Sequence, residues 1–109
     1  FKVMQIDATR VAGPQEIVLE YLLAKKFGVK VCPHAGGVGL CEAVSQLAMF
    51  DYVSVSGEME DRVVEYVDNQ HEYFVHPTVI KNGRYVAPLT PGNGTEMKID
   101  ECMKYLHKD

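Results

Sequence analysis

The sequence has few cysteines, no excess of positive charge and no long apolar run, and each shortage excludes a class of protein. The net charge is −4 and no lysine and arginine run offsets it, which argues against a nucleic-acid-binding domain. No apolar segment approaches the roughly 20 residues of a membrane-spanning helix, so we expect no membrane contact. The three cysteines, Cys32, Cys41 and Cys102, are an odd number without framework spacing and predict reduced thiols in an intracellular, cytoplasmic protein.

What is present indicates one globular domain. The chain has 109 residues, of which 47% are apolar and 24% charged, a composition typical of folded rather than disordered proteins. It begins at Phe1 and enters an apolar strand pattern almost at once. We therefore expect the chain to be a fragment of a longer protein.

The first third of the sequence predicts a strand, a helix and a second strand. An apolar run at residues 3–6 precedes a loop, and Pro14 suits the first position of a helix, where its missing N–H costs nothing. The helical spacing of apolar residues continues to Gly28, a natural C-cap, and the β-branched run 29–32 follows. A strand, a crossover helix and a strand form a βαβ unit, in which the two strands are parallel.

Asp7 follows the first predicted strand directly, and His34 follows the second after Pro33. The carboxyl ends of parallel strands meet at one edge of the sheet, where ligands bind and chemistry takes place in α/β proteins. Histidine changes protonation most readily near neutral pH, and an adjacent aspartate can accept one imidazole N–H and so orient the ring. The pattern predicts an Asp7–His34 dyad; the alternative is a loop-capping aspartate beside a passive turn histidine.

The remaining segments are predicted from their periodicity and turn residues. We expect a helix over residues 40–50, a short strand over 51–57, and a hairpin over 78–87 with Asn82-Gly83 as its turn. Residues 62–67 fit a strand or a helix and place Glu65 within an apolar run, where a carboxylate is costly unless it is paired or used. Residues 95–106 predict a terminal helix.

The glycine-rich region carries partial signals for a nucleotide site and for a metal site. Residues 36–39 follow a strand but match neither common phosphate-binding glycine motif. Cys32, His34 and Cys41 do not have the spacing of a common zinc site. Neither a nucleotide nor a metal is therefore expected there.

Five motifs resemble those of L-fuconate dehydratases, in the mandelate-racemase-like branch of the enolase superfamily. They read VMQIDATR, VCPHAGGVGLCE, MFDYVSVSG, MEDRVVEYVD and PGNGTEM. They occur in matching order and spacing across nearly the whole chain, and the likeness fades after about Met97. The matched region is the C-terminal third of those enzymes.

The resemblance implies an α/β fold, the C-terminal part of a modified TIM (β/α) barrel with a short return segment to a capping domain. Residues 1–75 would form the last barrel strands and helices, and residues 76–109 the hairpin and helix of the return segment. Asp7 would end the sixth barrel strand, His34 the seventh and Glu65 the eighth.

The same resemblance implies an activity, which is the dehydration of L-fuconate or a similar aldonate to a 2-keto-3-deoxy acid. His34 would be the acid/base, Asp7 its partner, and Glu65 the carboxylate facing the substrate, protonated or sharing a proton so that it does not repel the enolate. The Mg²⁺ cofactor would take its ligands from the missing N-terminal part, with none from this chain. The partners would be the sugar acid, the preceding segment and further copies in a homo-oligomer, and a mitochondrial location fits a eukaryotic source.

Three alternatives keep some of these features. The substrate could be another aldonate, or the reaction a racemisation, on the same fold. The chain could be a non-catalytic fragment that packs against a partner, or a free-standing flavodoxin-like domain, although the hairpin does not continue a βα alternation. Contact between Asp7 and His34, facing a cavity shared with Glu65, favours the enzyme; apolar burial of His34 favours the packing module.

We predict that the 109 residues alone have no dehydratase activity, because half a barrel has an open edge and lacks the metal ligands and the second acid/base. A turnover assay of this polypeptide with Mg²⁺ and a sugar acid checks this. Measurable dehydration by the isolated chain would contradict it.

Overall fold

The computed structural model describes residues 1–107. Within this range there are four strands, three α-helices, one π-helical turn and one short 3₁₀ turn. The helices are α1 (Pro14–Phe27), α2 (Leu40–Phe50) and α3 (Ile99–Met103), the strands are β1 (Val3–Ile6), β2 (Lys30–Pro33), β3 (Ile80–Lys81) and β4 (Arg84–Tyr85), and the turns are Asp51–Ser56 (π) and His71–Tyr73 (3₁₀). Among these residues, no helix has the length and apolar character needed to cross a membrane.

The predicted βαβ unit is confirmed. β1 and β2 pair in parallel, and the register places Ile6 opposite Pro33. Helix α1 starts at Pro14 and ends at Gly28, whose left-handed φ of 65° lets its N–H reach the carbonyls of Ala24 and Lys25. A first core lies between this helix and the two strands, and its buried members are Ile6, Ile17, Tyr21, Ala24 and Val31.

Residues 51–57 were predicted to be a strand, and that prediction is wrong. Helix α2 continues into a π-helical turn, Asp51–Ser56, which ends at Gly57 in the left-handed conformation. The buried residues of this turn, Asp51 and Ser56, are five apart, the spacing of a π-helix, and Ser56 Oγ donates to the Asp51 carbonyl at 3.2 Å. Arg62 lies 3.5 Å from the Asp51 carboxylate and partners its charge. The alternation of apolar residues over 51–57 favoured a strand, although the segment continues the helix.

Residues 62–67 form neither a strand nor a helix. One backbone hydrogen bond, from Glu65 N–H to the Pro33 carbonyl at 3.1 Å, joins this segment to the sheet. Pro33 is the last residue of β2, so the segment contacts only the end of that strand. No ladder of backbone hydrogen bonds forms between the segment and β2. The segment still passes the edge where Asp7 and His34 lie.

The hairpin is confirmed, and the terminal helix is shorter than predicted. β3 and β4 pair antiparallel around Asn82 and Gly83, which have φ values of 53° and 71°. Helix α3 covers Ile99–Met103 rather than 95–106. The residues before it are extended, because Val75 N–H donates to Glu96 and Lys98 N–H donates to Tyr73. These bonds tie the start of the last segment to residues 73–75.

We expect Ile17→Ala to lower the free energy of unfolding by about 2–5 kcal/mol, because Ile17 is 1% exposed and its loss leaves a cavity against β1 and β2. Leu19→Ala, on the same helix but at a position 50% exposed, should change it by less than about 0.5 kcal/mol. Urea unfolding of the chain, followed by circular dichroism, measures both. Equal effects would show that α1 does not pack in this orientation.

Candidate active site

Asp7 and His34 are held together by the register of the parallel strands. Ile6 lies opposite Pro33, and the backbone N–H of His34 donates to the Ile6 carbonyl at 2.8 Å. The residues that follow each strand therefore leave the sheet side by side. His34 Nδ1 lies 3.0 Å from Asp7 Oδ2, so the predicted contact is confirmed.

The second oxygen of Asp7 is fixed by the loop that follows β1. Both the backbone N–H and the hydroxyl of Thr9 donate to Asp7 Oδ1, at 2.9 and 2.7 Å. Partial burial opposes ionisation of Asp7, but the two Thr9 bonds and the His34 imidazole outweigh it, so the pKa of this carboxyl lies below its ordinary value. Asp7 is thus held as a carboxylate, with one oxygen bound to Thr9 and the other directed at His34.

Glu65 approaches the opposite nitrogen of the same imidazole. Its Oε2 accepts the Ala35 N–H at 2.7 Å and lies 3.4 Å from His34 Nε2. A carboxylate only accepts hydrogen bonds, so Asp7 requires the proton of neutral His34 on Nδ1. In that tautomer the lone pair of Nε2 faces the Glu65 carboxylate, 3.4 Å from Oε2. His34 is therefore placed to take up or release a proton at Nε2.

The glycine-rich turn after His34 leaves space for its ring. A Cβ placed on Gly36 would lie 2.8 Å from His34 Nε2, closer than real contacts allow. Gly36 therefore lets the backbone pass beside the imidazole. Gly39 has a φ of 75° and lies against the Phe74 ring, so a side chain there would be strained as well as crowded.

Sequence reasoning missed the groups that hold these three side chains. Thr9 was detectable, because a threonine two residues after an aspartate is typical of a side-chain-stabilised turn. The Ala35 N–H and the hydroxyl of Tyr85, which donates to the Glu65 carbonyl at 2.5 Å, had no local signal. Tyr85 comes from the hairpin, 20 residues further along the chain.

The three side chains lie on a partly open surface. The exposed fractions of the side chains are 34% for His34, 32% for Glu65 and 20% for Asp7. Two cavities of about 510 and 310 Å³ occur elsewhere in the chain, and none of these three residues lines either of them. The three side chains thus contribute to neither of these two cavities and lie at the surface of the described residues.

The carboxylates of the site are not arranged to bind Mg²⁺. Across residues 1–107, no group of three or more His, Cys, Asp and Glu side chains is arranged to hold a metal ion. Asp7 is occupied by Thr9 and His34, and Glu65 by Ala35 and His34. The described residues thus do not fit a magnesium site by themselves.

Asp7 makes folding depend on pH in a known direction. Because its pKa is depressed in the folded chain, the stability it contributes is complete above its ordinary value of 3.8 and is lost as the pH falls through the lower folded value. We expect Asp7→Asn to weaken the acid dependence of unfolding below about pH 4, whereas the exposed control Asp100→Asn should keep it. Urea midpoints measured from pH 2.5 to 7 test this; parallel curves for the two variants would contradict it.

The chain is similar to known proteins over almost its whole length. The profile of the family described as "Enolase C-terminal domain-like" matches residues 1–101. The chain is 49% identical over 106 residues to "Mitochondrial enolase superfamily member 1" of Homo sapiens, and 48% identical over 103 residues to "L-galactonate dehydratase" of Hypocrea jecorina. These matches cover 97% and 94% of this chain.

The chain spans about a quarter of the length of these relatives, 24% of the human protein and 22% of the Hypocrea jecorina enzyme. A crystal structure of the human protein superposes with a TM-score of 0.86 at 50% identity, covering 91% of this chain and 22% of that one. The predicted fold class, the α/β C-terminal portion of a TIM-type barrel, is thereby confirmed. The chain belongs to the enolase C-terminal domain-like family.

Proposed function

We propose that this chain supplies the C-terminal part of the active site of a sugar-acid dehydratase. One observation carries the proposal, the imidazole of His34 placed between Asp7 at Nδ1 and Glu65 at Nε2. The similarity to an enzyme named L-galactonate dehydratase supports the same class of reaction. The catalytic roles of the three residues are part of this proposal.

The reaction that fits these groups removes the proton α to the carboxylate. The C–H electron pair passes into an enediolate, the β C–O bond breaks, and the departing hydroxide takes a proton and leaves as water. The enol that remains tautomerises to a 2-keto-3-deoxy acid. His34 Nε2 acts at one of the two proton transfers, taking the α proton or delivering a proton to the hydroxide.

Glu65 and Asp7 have different tasks in this scheme. Asp7 accepts a hydrogen bond from Nδ1–H, which orients the ring and stabilises the imidazolium that forms when Nε2 gains a proton. Glu65 must carry or share a proton when an enediolate lies beside it, because two anions in contact repel. Its Oε2 lies 3.4 Å from His34 Nε2, next to the nitrogen that handles the proton in this scheme.

We propose L-fuconate or a similar aldonate as the substrate, and Mg²⁺ as the cofactor with ligands from the preceding segment of the same enzyme. Enolase superfamily members generally bind Mg²⁺. We also propose assembly into a homo-oligomer and a mitochondrial location, the latter supported by the names of the relatives. Racemisation of a sugar acid uses the same proton transfer and stays an alternative.

A non-catalytic packing module is the second candidate, and the exposed apolar side chains favour it. Phe1 and Leu89 are almost fully exposed and Phe27 is 70% exposed. Exposed apolar side chains that form a contiguous patch mark an interaction surface. In the dehydratase proposal the preceding segment of the enzyme covers these apolar side chains. Proton transfer at His34 therefore distinguishes the two candidates.

A chimera tests the proposal without depending on the isolated chain. This chain would replace the matching segment of the Hypocrea jecorina enzyme, and consumption of L-galactonate would be measured with Mg²⁺ present. We expect turnover by the chimera and a loss of about 10²- to 10⁴-fold in kcat on His34→Asn, because the acid/base group is removed.

The exposed His76 provides the matched control, and His76→Asn should keep the activity of the parent chimera. Comparable activity in the His34→Asn and parent chimeras would refute the assignment of His34. A folded chimera without any turnover would favour the packing module.

A further inference from the structure

Glu65 depends on the hairpin for its position. The segment 62–68 has no helix or strand of its own, so no ladder of backbone bonds holds this residue in place. Its N–H donates to the Pro33 carbonyl at 3.1 Å, and its carbonyl accepts the Tyr85 hydroxyl at 2.5 Å. Both backbone polar groups of Glu65 are thus anchored, one by β2 and the other by β4.

Tyr85 is itself held firmly. Its ring packs edge-on against Tyr66, with centroids 6.0 Å apart, and against a second buried cluster below the glycine-rich turn. That cluster consists of Ala35, Leu40, Cys41 and Val44. Burial, together with the neighbouring Cys41 thiol, raises the pKa of the Tyr85 phenol, so it stays a hydrogen-bond donor through the neutral range.

The bond between Tyr85 and Glu65 bears on the distance between Glu65 Oε2 and His34 Nε2, because it holds the backbone that carries the carboxylate. The Glu65 carboxylate contacts both the Ala35 N–H at 2.7 Å and His34 Nε2 at 3.4 Å. A shift of the Glu65 backbone of about 1 Å would break both contacts, and errors of that size in an active site can cost on the order of 100-fold in rate.

We propose that Tyr85 is a positioning residue, which holds Glu65 against His34 by bonding its backbone carbonyl. The hairpin of residues 78–87 would thereby be part of the active-site support, and not only a connection towards the end of the chain. The expected effect of Tyr85 on kcat rests on the proposed function. Its effect on the surroundings of His34 can be measured in an inactive protein.

The test is Tyr85→Phe in the chimera, which removes the hydroxyl and keeps the ring. We expect kcat to fall roughly 3- to 10-fold, the usual effect of losing one neutral hydrogen bond, with KM changed by less than about twofold. Tyr73→Phe is the matched control, because its hydroxyl bonds Tyr105 beside α3, and it should leave kcat unchanged. An equal fall in both variants would assign the effect to general destabilisation and overturn the proposal.

A double-mutant cycle separates positioning from simple loss of stability. If Tyr85 acts through Glu65, adding Tyr85→Phe to Glu65→Gln should lower kcat less than it does in the parent chimera. Full additivity of the two substitutions would overturn the proposal.

Histidine-selective ¹⁵N NMR gives a readout that needs no activity. We expect Tyr85→Phe to shift the Nε2 resonance of His34, and Tyr73→Phe to leave it in place. An unchanged Nε2 resonance in Tyr85→Phe would overturn the positioning role. An inactive chimera that still shows the selective shift would instead count against the dehydratase proposal and support the positioning role.

Discussion

The parallel register of two short strands is the constraint on which the site depends. Since Ile6 lies opposite Pro33, the residues that follow both strands leave the sheet at the same level, and Asp7 meets His34 at 3.0 Å. Thr9 holds the other oxygen of Asp7, which leaves one oxygen directed at the imidazole. The Asp7 carboxylate therefore orients the ring through Nδ1, and Nε2 faces Glu65.

The other half of the site is assembled from distant parts of the chain. Glu65 lies in an irregular segment, which β2 and β4 anchor through its two backbone groups. Ala35 contributes its N–H to the Glu65 carboxylate and its side chain to the buried cluster beneath the turn. Ala35 thus connects the packing of the buried cluster to the position of the Glu65 carboxylate.

Sequence patterns predicted well where local chemistry decides the structure. Pro14 and Gly28 marked the ends of α1, and Asn82-Gly83 marked the hairpin turn, because each requires or avoids a particular backbone conformation. They failed at 51–57, where a helical continuation replaced the expected strand, and at 62–67, where the pattern allowed a strand or a helix and the structure has neither. An alternation of apolar residues indicates which side chains prefer burial. It does not decide whether a strand or a helix buries them.

By itself the sequence determined the βαβ unit, because a strand, a crossover helix and a strand place the two strands parallel, and it offered contact between Asp7 and His34 as one of two alternatives. Only the tertiary structure decided how Glu65 reaches His34 Nε2 and that a hairpin tyrosine holds it there. Those contacts join residues 20 to 31 positions apart without a regular ladder between them. Their geometry follows from packing of the whole chain, which no local pattern encodes.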